Sequence, residues 1–445
     1  MKRSPNQEND PNPATAPNPG PRPPAPAGEP KPARLSPPST DDPDPAQAPP
    51  PAADAPPLPP TPPTPADAPA AAQPPPAPAG GPNPPPVSPA VADAPGPAPG
   101  PAAPDDESRT GRVGGKRKIG RWTLRVLLVL LLPLLIAETA LRINYAGDPK
   151  AGTYSRNRDA LWLGHAWVDG RRTDADVTAL AARLADTGMR DLYVHAGPLE
   201  HNGTLPKSAY PKARWLITAV HRKLPGVRVQ AWLGDEVAPE KPYAMHLEKK
   251  ETRDAVVASA RQVVAAGFDG VHFDLEPLHS GDRNYLALLD ALRPATPLLS
   301  VAAHQIDPLP AFHSFWGTVT GHPKWWSQEY FGQVARRVDQ IAVMSYDTMQ
   351  PLQSLYGGYV AQQTSLALEV TPADTDLLMG LPFYHENRFG HWAHAETVPA
   401  AVRGVRLGLS RTDPDRATFG VALYVDFAAT EDDWTSYRKD WVRTS

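Results

Sequence analysis

The run Gly267-Phe268-Asp269-Gly270-Val271-His272-Phe273-Asp274-Leu275-Glu276-Pro277 decides the reading of this chain. In an extended strand, side chains alternate between two faces with a period of two. Val271, Phe273 and Leu275 then share one face, and His272, Asp274 and Glu276 share the other. Burying a row of ionisable groups is costly unless they serve a site. A (β/α)8 barrel reconciles the two faces. Its apolar face packs on the surrounding helices, its polar face points inward, and the last residue reaches the catalytic C-terminal rim. Glu276 is that last residue.

Outward from this strand, strand-like and helix-like stretches alternate through 159–445. Strands are expected over 160–166, 191–195, 227–232, 270–275, 298–303, 340–345, 376–381 and 420–425. Helices are expected over 173–188, 212–224, 253–267, 284–292, 327–338 and 431–442. The first opens on a Thr173/Asp174 cap signal and closes on Gly188. The helix before the seventh strand, near 358–368, gives the weakest signal. Strict alternation of eight strands with helices argues for an α/β domain of TIM (β/α)8 type. An open doubly wound sheet would show a glycine-rich phosphate turn after an early strand, and none is present.

The first third of the chain differs in kind. Of its 59 prolines, 40 fall in the first 104 residues, among Ala, Gly and Asp and few large apolar groups. Such a segment cannot bury enough apolar surface to offset its conformational entropy, so 1–108 is expected to be a disordered Pro/Ala-rich tail whose partner is unknown. The stretch 109–121 is basic, with Arg109, Arg112, Lys116, Arg117, Lys118 and Arg121. An unbroken apolar run follows from Val126 to Ala137. Extended to 122–141 it reaches the ~20 residues that a transmembrane helix needs. The basic cluster sets the N-terminus in the cytoplasm, and no small-residue cleavage pair lies in register after the run. An uncleaved transmembrane signal anchor is therefore expected over 122–141, then a linker over 142–158 and an extracytoplasmic barrel over 159–445. The alternative is a core helix of a soluble protein.

The chain has no cysteine, which excludes disulfides, thiol nucleophiles and thiolate metal sites. A formal net charge of −4 gives no sign of a nucleic-acid partner.

Asp269-Gly270-x-His272-x-Asp274-x-Glu276 resembles the D-G-x-D-x-D-x-E signature on strand four of family 18 glycoside hydrolases, the chitinase-like enzymes. Met344-Ser345-Tyr346-Asp347 resembles the M-x-Y-D of that family's strand six, and Gly380-Leu381-Pro382-Phe383-Tyr384 its strand-seven G-x-P-x-Y. The stretch 420–426 is similar to strand eight, with Tyr424 where the family usually has Trp. Two departures stand out: His272 replaces the middle Asp of the signature, and the third strand lacks the family's S-x-G-G. The chain thus resembles a distant member.

The resemblance implies a retaining, substrate-assisted hydrolase of a β-linked glycan containing N-acetylglucosamine, in which the 2-acetamido oxygen is the nucleophile. Glu276 would be the acid/base. Asp274 would orient the acetamido group and raise the Glu276 pKa by like-charge coupling. Tyr346 would bind the acetamido carbonyl and Asp347 would support that end of the site. Asp269, His272, Met344, Trp232, Tyr384 and Tyr424 are the expected substrate-binding residues, with Trp232 and Tyr424 as stacking floor. An imidazole at His272 would bond Asp274 and pin it, or else be a satisfied interior residue.

Other residues fall near strand ends: His165, Trp167, His195, Asp235, Glu236, His304, His385 and Glu386. No H-x-H or H-E-x-x-H spacing supports a metal reading of the histidines, so neither metal nor cofactor is expected. The aromatic stretch 307–326 is expected as a long loop forming a substrate wall or flap. A non-catalytic lectin on the same scaffold is the alternative function. A hydrolase for sugars without an acetamido group, with Asp347 or Glu386 as second carboxylate, is a third.

Overall fold

The computed structural model describes residues 114–239, 241–320 and 324–442, except the side chains of 114–128, 130 and 320. In chain order the elements are α1 (Gly114–Tyr145), β1 (Asp159–Leu163), α2 (Asp174–Leu184), β2 (Met189–Pro198), α3 (Ala213–Lys223), β3 (Arg228–Glu236) and α4 (Lys250–Ala266). Then follow β4 (Gly270–Glu276), α5 (Arg283–Leu292), β5 (Leu299–Ala303), β6 (Gln305–Ile306), α6 (Phe312–Thr320), β7 (Trp325–Trp326) and α7 (Gln328–Ala335). The last are β8 (Gln340–Val343), α8 (Gln353–Val370), β9 (Asp376–Pro382), α9 (Val398–Thr412), β10 (Phe419–Tyr424) and α10 (Glu431–Tyr437).

Eight of these strands close a barrel in the order β1-β10-β9-β8-β5-β4-β3-β2, every neighbouring pair parallel. All eight expected strands are therefore present in their expected sequence. The barrel follows from local chemistry. The Thr173 cap of α2 and Asp176 bond each other's backbone in a capping box. Gly267 ends α4 with φ 114°, and its N–H reaches the carbonyls of Val263 and Val264. On β4, Val271, Phe273 and Leu275 are buried in the large apolar layer between strands and helices. A second, smaller cluster of Ala160, Trp162, Tyr193, Ala342, Leu378, Ala422 and Val425 fills the barrel interior.

Two expectations are corrected and one is extended. The stretch 307–326 is not a plain loop, because it carries α6 and β7, which pairs in parallel with β6 just before it. The helix before the seventh barrel strand runs through all of α8, 18 residues. It is buried on nearly every face, from Leu355 to Leu368. A helix covered all round has no polar stripe, so its period is invisible in sequence. Finally, 142–158 is not a free linker. Arg411 donates to the carbonyls of Asn144 and Ala146, Arg403 to that of Gly147, and Thr153 is fully buried.

The expected span 122–141 lies within α1. Among the described residues no helix is long and apolar enough to cross a membrane. The described side chains of α1 begin at Val129 and include Glu138 and Arg142, paired at 3.7 Å. The C-terminal turn of α1 rests on α8, where a Cβ on Gly358 would lie 1.9 Å from the Leu141 carbonyl and one on Gly357 would meet the Tyr145 ring. The tail 1–108 lies outside the described residues, as does the basic stretch 109–121 apart from the backbone of 114–121.

Candidate active site

Two polar layers occupy the barrel interior. In the lower one Asp191 is fully buried and accepts from Arg228 at 2.7 and 2.6 Å, from Gln230 at 2.8 Å and from Gln340 at 2.9 Å. Tyr193 donates to Gln340 at 2.6 Å. His272 belongs to this layer. It stacks on Tyr193 with centroids 3.7 Å apart. Its Nε2 accepts from Trp162 at 3.1 Å, which leaves the proton on Nδ1 to donate to Ser300 Oγ at 2.8 Å. Burial holds its pKa down at about 3, so the ring is neutral. Both nitrogens are used, and His272 makes no hydrogen bond to Asp274. The expectation that it pins Asp274 or touches substrate is corrected; the satisfied-interior reading stands.

One layer higher, β4 delivers Asp274 and Glu276 to a cavity of about 270 Å3 at the C-terminal rim. Asp274 Oδ2 accepts from Trp232 Nε1 at 3.0 Å. Its Oδ1 is enclosed and has no partner among the described residues. Desolvation raises the Asp274 pKa, with the Trp232 bond opposing. Glu276 opens to the cleft with 46% of its side chain exposed, and its nearest basic group is His304 Nε2 at 3.8 Å. Desolvation raises its pKa further, helped by the charges of Asp274 and Asp347. His304 Nε2 already accepts from the Leu278 N–H at 3.2 Å, and burial lowers its pKa to about 4. Glu276 is therefore a carboxylic acid beside a neutral imidazole, and no lysine or arginine pairs with it among the described residues.

The opposite wall comes from β8 and β9. Gln305 donates to the carbonyls of Met344 and Tyr346 at 2.9 and 2.7 Å, fixing the chain as it leaves β8. Met344 and Tyr346 line the cavity. The Tyr346 ring stacks on Tyr424, 5.2 Å between centroids, and stands edge-on to Tyr384. Asp347 has φ 54°, a left-handed conformation uncommon outside glycine and concentrated at functional sites. Its carboxylate accepts from Tyr384 OH at 2.7 Å and from Arg388 at 2.8 Å. Desolvation works against its charge, but His391, Tyr384 and Arg388 outweigh it and hold the pKa below the usual value.

Asp347, His391 and Glu396 are, among the described residues, the group whose potential ligand atoms lie within 4.8 Å of one another. His391 Nδ1 lies 3.1 Å from Asp347 and 3.2 Å from Glu396, without an aligned hydrogen bond. Desolvation opposes its protonation, yet the two carboxylates raise its pKa to about 9. Glu396 is already saturated by the N–H groups of Asp347 and Thr348 and the Thr348 hydroxyl. The donors fit an imidazolium-centred ion cluster better than a metal shell. The four histidines considered for a metal, His165, His195, His272 and His304, do not converge.

Of the expected site residues, the structure brings Asp274, Glu276, Met344, Tyr346, Asp347 and Tyr424 to one cavity. Trp232 and Tyr384 hold Asp274 and Asp347 from behind. Asp269 is not there. It sits at the N-terminal end of β4, where its carboxylate accepts from His221 at 2.8 Å and from the Val229 N–H at 2.7 Å. That end of a barrel serves stability, not chemistry. His385 pairs with Asp433 at 2.8 Å, and Glu386 is exposed outside the cavity. Gln305, Lys324, Arg388, His391 and Glu396 were missed. Gln305 stands on the two-residue strand β6 and the others in loops between strands, where no periodicity marks a side chain as inward.

A (β/α)8 barrel with two raised carboxyls at the end of its fourth strand defines a glycoside hydrolase scaffold. Residues 199–430, more than half of the chain, match the model of Glycosyl hydrolases family 18, and the protein belongs to that family. It is similar in structure to a class V chitininase from Pseudomonas fluorescens, at 13% identity and TM-score 0.42, over 63% of this chain and 98% of that one. It is also similar to the spore cortex-lytic enzyme SleL of Bacillus cereus, at 11% identity and TM-score 0.44, over 64% and 74%. A family 18 N-acetylglucosaminidase from Paenibacillus barengoltzii gives 12% identity and TM-score 0.42, over 64% and 99%. No curated protein matches the chain.

Proposed function

We propose that this glycoside hydrolase cleaves a β-linked glycan containing N-acetylglucosamine, with retention and with the substrate's own acetamido group as nucleophile. The supporting observation is the pairing of a protonated Glu276 at the cleft with Asp274, whose Oδ1 lacks any partner. A buried unpartnered oxygen costs free energy until something donates to it. The acetamido N–H is such a donor.

In this reading Glu276 passes its proton to the glycosidic oxygen as the C1–O bond breaks. The acetamido carbonyl oxygen attacks C1 and closes an oxazolinium ring. Asp274 accepts the amide N–H and offsets the positive charge of that ring. The Tyr346 hydroxyl makes no hydrogen bond within the described protein, which leaves it to donate to the acetamido carbonyl. Glu276, now a carboxylate, takes a proton from water as water opens the ring. Asp347, ionised by its three donors, supplies fixed negative charge to the same wall.

The test compares the full chain with Glu276→Gln on chitin oligosaccharides and peptidoglycan fragments, counting reducing ends. Release by the parent and its loss in the variant is expected. Binding without cleavage by both would replace this reading with a lectin.

We further infer an uncleaved signal anchor, N-terminus cytoplasmic and barrel extracytoplasmic. It rests on the basic stretch 109–121, the apolar run 126–137 and the exposure of Leu131, Leu132, Leu134, Leu135 and Ile136. Extraction of the membrane fraction at alkaline pH tests it: an anchored chain stays with the membrane, and release overturns the inference.

A further inference from the structure

The two walls of the cleft are lined by different charged groups. At the ends of β3 and β4, Asp235 and Glu236 border the same Asp274 and Glu276 that line the main cavity. Glu236 is paired with Lys241 and Asp235 with His201. Across the cavity stand Lys324 and Arg388. Lys324 has no part in the chemistry above, Arg388 enters it only as a donor to Asp347, and the two are matched differently.

Arg388 gives one N–H to Asp347 Oδ2 at 2.8 Å and lies over the Tyr384 ring at 5.5 Å. A guanidinium has five donors in a rigid fork. Its remaining donors are half exposed at the mouth of the cleft. Lys324 is the odder group. Its ammonium donates to the Asp347 carbonyl at 3.1 Å and lies 5.7 Å from the Trp325 ring. It is half-buried and makes no direct ion pair among the described residues, and the charges of Asp347 and Glu396 act on it from farther off. Its one direct hydrogen bond goes to a neutral carbonyl, so the ammonium keeps donors free toward the cavity it lines. A substrate carboxylate can take them, whereas a neutral chitin-like chain offers no charge there.

We propose that the preferred substrate carries a carboxylate, held by Lys324 and Arg388 on the Asp347 side of Glu276. This rests on the hydrolase reading above and narrows it to acidic glycans. A carboxylate accepts from both cations in the bidentate manner that favours Arg, with Lys as a point charge. Two sugars would supply it next to N-acetylglucosamine: one bearing a lactyl ether, as in muramic acid, or a uronic acid.

The experiment measures kcat/KM of the full chain on four soluble glycans by counting reducing ends. These are alternating N-acetylglucosamine–N-acetylmuramic acid, the same glycan with its carboxyl converted to the amide, alternating N-acetylglucosamine–glucuronic acid, and a chitin oligosaccharide. One acidic glycan is expected to exceed the neutral ones by roughly tenfold to a hundredfold, the usual worth of a charged hydrogen bond. Preference for the lactyl or the uronic glycan identifies the source. Lys324→Met should bring the acidic-to-neutral ratio down toward one, while Lys324→Arg should largely keep it; melting temperatures check that each variant folds. Equal rates on acidic and neutral glycans overturn the proposal and leave the hydrolase reading intact. So does an equal loss on every substrate in Lys324→Met, which would make Lys324 a support for Asp347. If no glycan is cleaved, both readings fall.

Discussion

The two polar layers inside one barrel are built on the same strand and behave differently. The lower layer, with Asp191, Gln340, Tyr193 and His272, spends nearly all its donors and acceptors on itself, leaving only Gln230 Oε1 without a partner. Among the described residues the upper layer leaves Asp274 Oδ1 and the Glu276 carboxyl without donors, and gives the Lys324 ammonium one hydrogen bond, to a neutral carbonyl. A closed network rigidifies a core, whereas an open one waits for a ligand. Two residues along β4, from His272 to Asp274, the chain passes from the first kind to the second.

The strongest challenge to this contrast is Glu276→Gln. Removing a positioned acid should lower kcat about 10²–10⁴-fold, while the melting temperature moves little, because the Glu276 side chain makes no hydrogen bond among the described residues. A comparable loss of stability would place Glu276 among the structural groups instead.

Asp274→Asn should cost about 10²–10³-fold in kcat, the scale of losing one preorganised charge at a developing cation. It also has a pH signature. Asp274 must be ionised and Glu276 protonated, so activity is lost as pH falls through the first raised pKa and as it rises through the second. Both limbs therefore lie above the ordinary carboxylate range near 4, and they belong to the pair rather than to either residue. The Asp274 charge is one cause that raises Glu276. Its removal should move the alkaline limb to lower pH, and an unmoved limb would break the coupling.

His272→Asp restores the family signature and sharpens the contrast from below. The new side chain would lose the stack on Tyr193 and sit fully buried without a cation. A destabilisation of about 3 kcal/mol is expected from denaturant titration, with no gain in kcat. Higher activity in a stable variant would show that the imidazole had been restraining Asp274 after all.

The smallest effect belongs to Tyr424→Trp, which exchanges one aromatic for another against Tyr346, Trp232 and Trp162. Its change should appear in KM, by less than roughly tenfold, and hardly in kcat. A large drop in kcat would mean that the Tyr424 hydroxyl takes part in the chemistry.

Much of the barrel was legible because period-two and period-3.6 patterns are local. The alternation along 270–276 placed Glu276 at the rim, and Gly267 marked the end of α4 before any contact was known. The M-x-Y-D and G-x-P-x-Y motifs likewise led to Tyr346, Asp347 and Tyr384, which the fold joins by a hydrogen bond 37 residues apart. Asp269 shows the limit of a motif. It belongs to the signature, yet it lies before the strand begins, and its partners are His221 and Val229.

The sequence by itself determined the order of elements, the inward row of β4 and the place of Glu276 at its end, since each depends on spacing along one segment. Only the tertiary structure decided what His272 touches, which carboxyl oxygen is left open, and that Lys324, Arg388 and His391 reach Asp347. Those facts depend on closing strands and loops far apart in the chain around one axis, and burial and charge pairing act between residues that no local pattern connects.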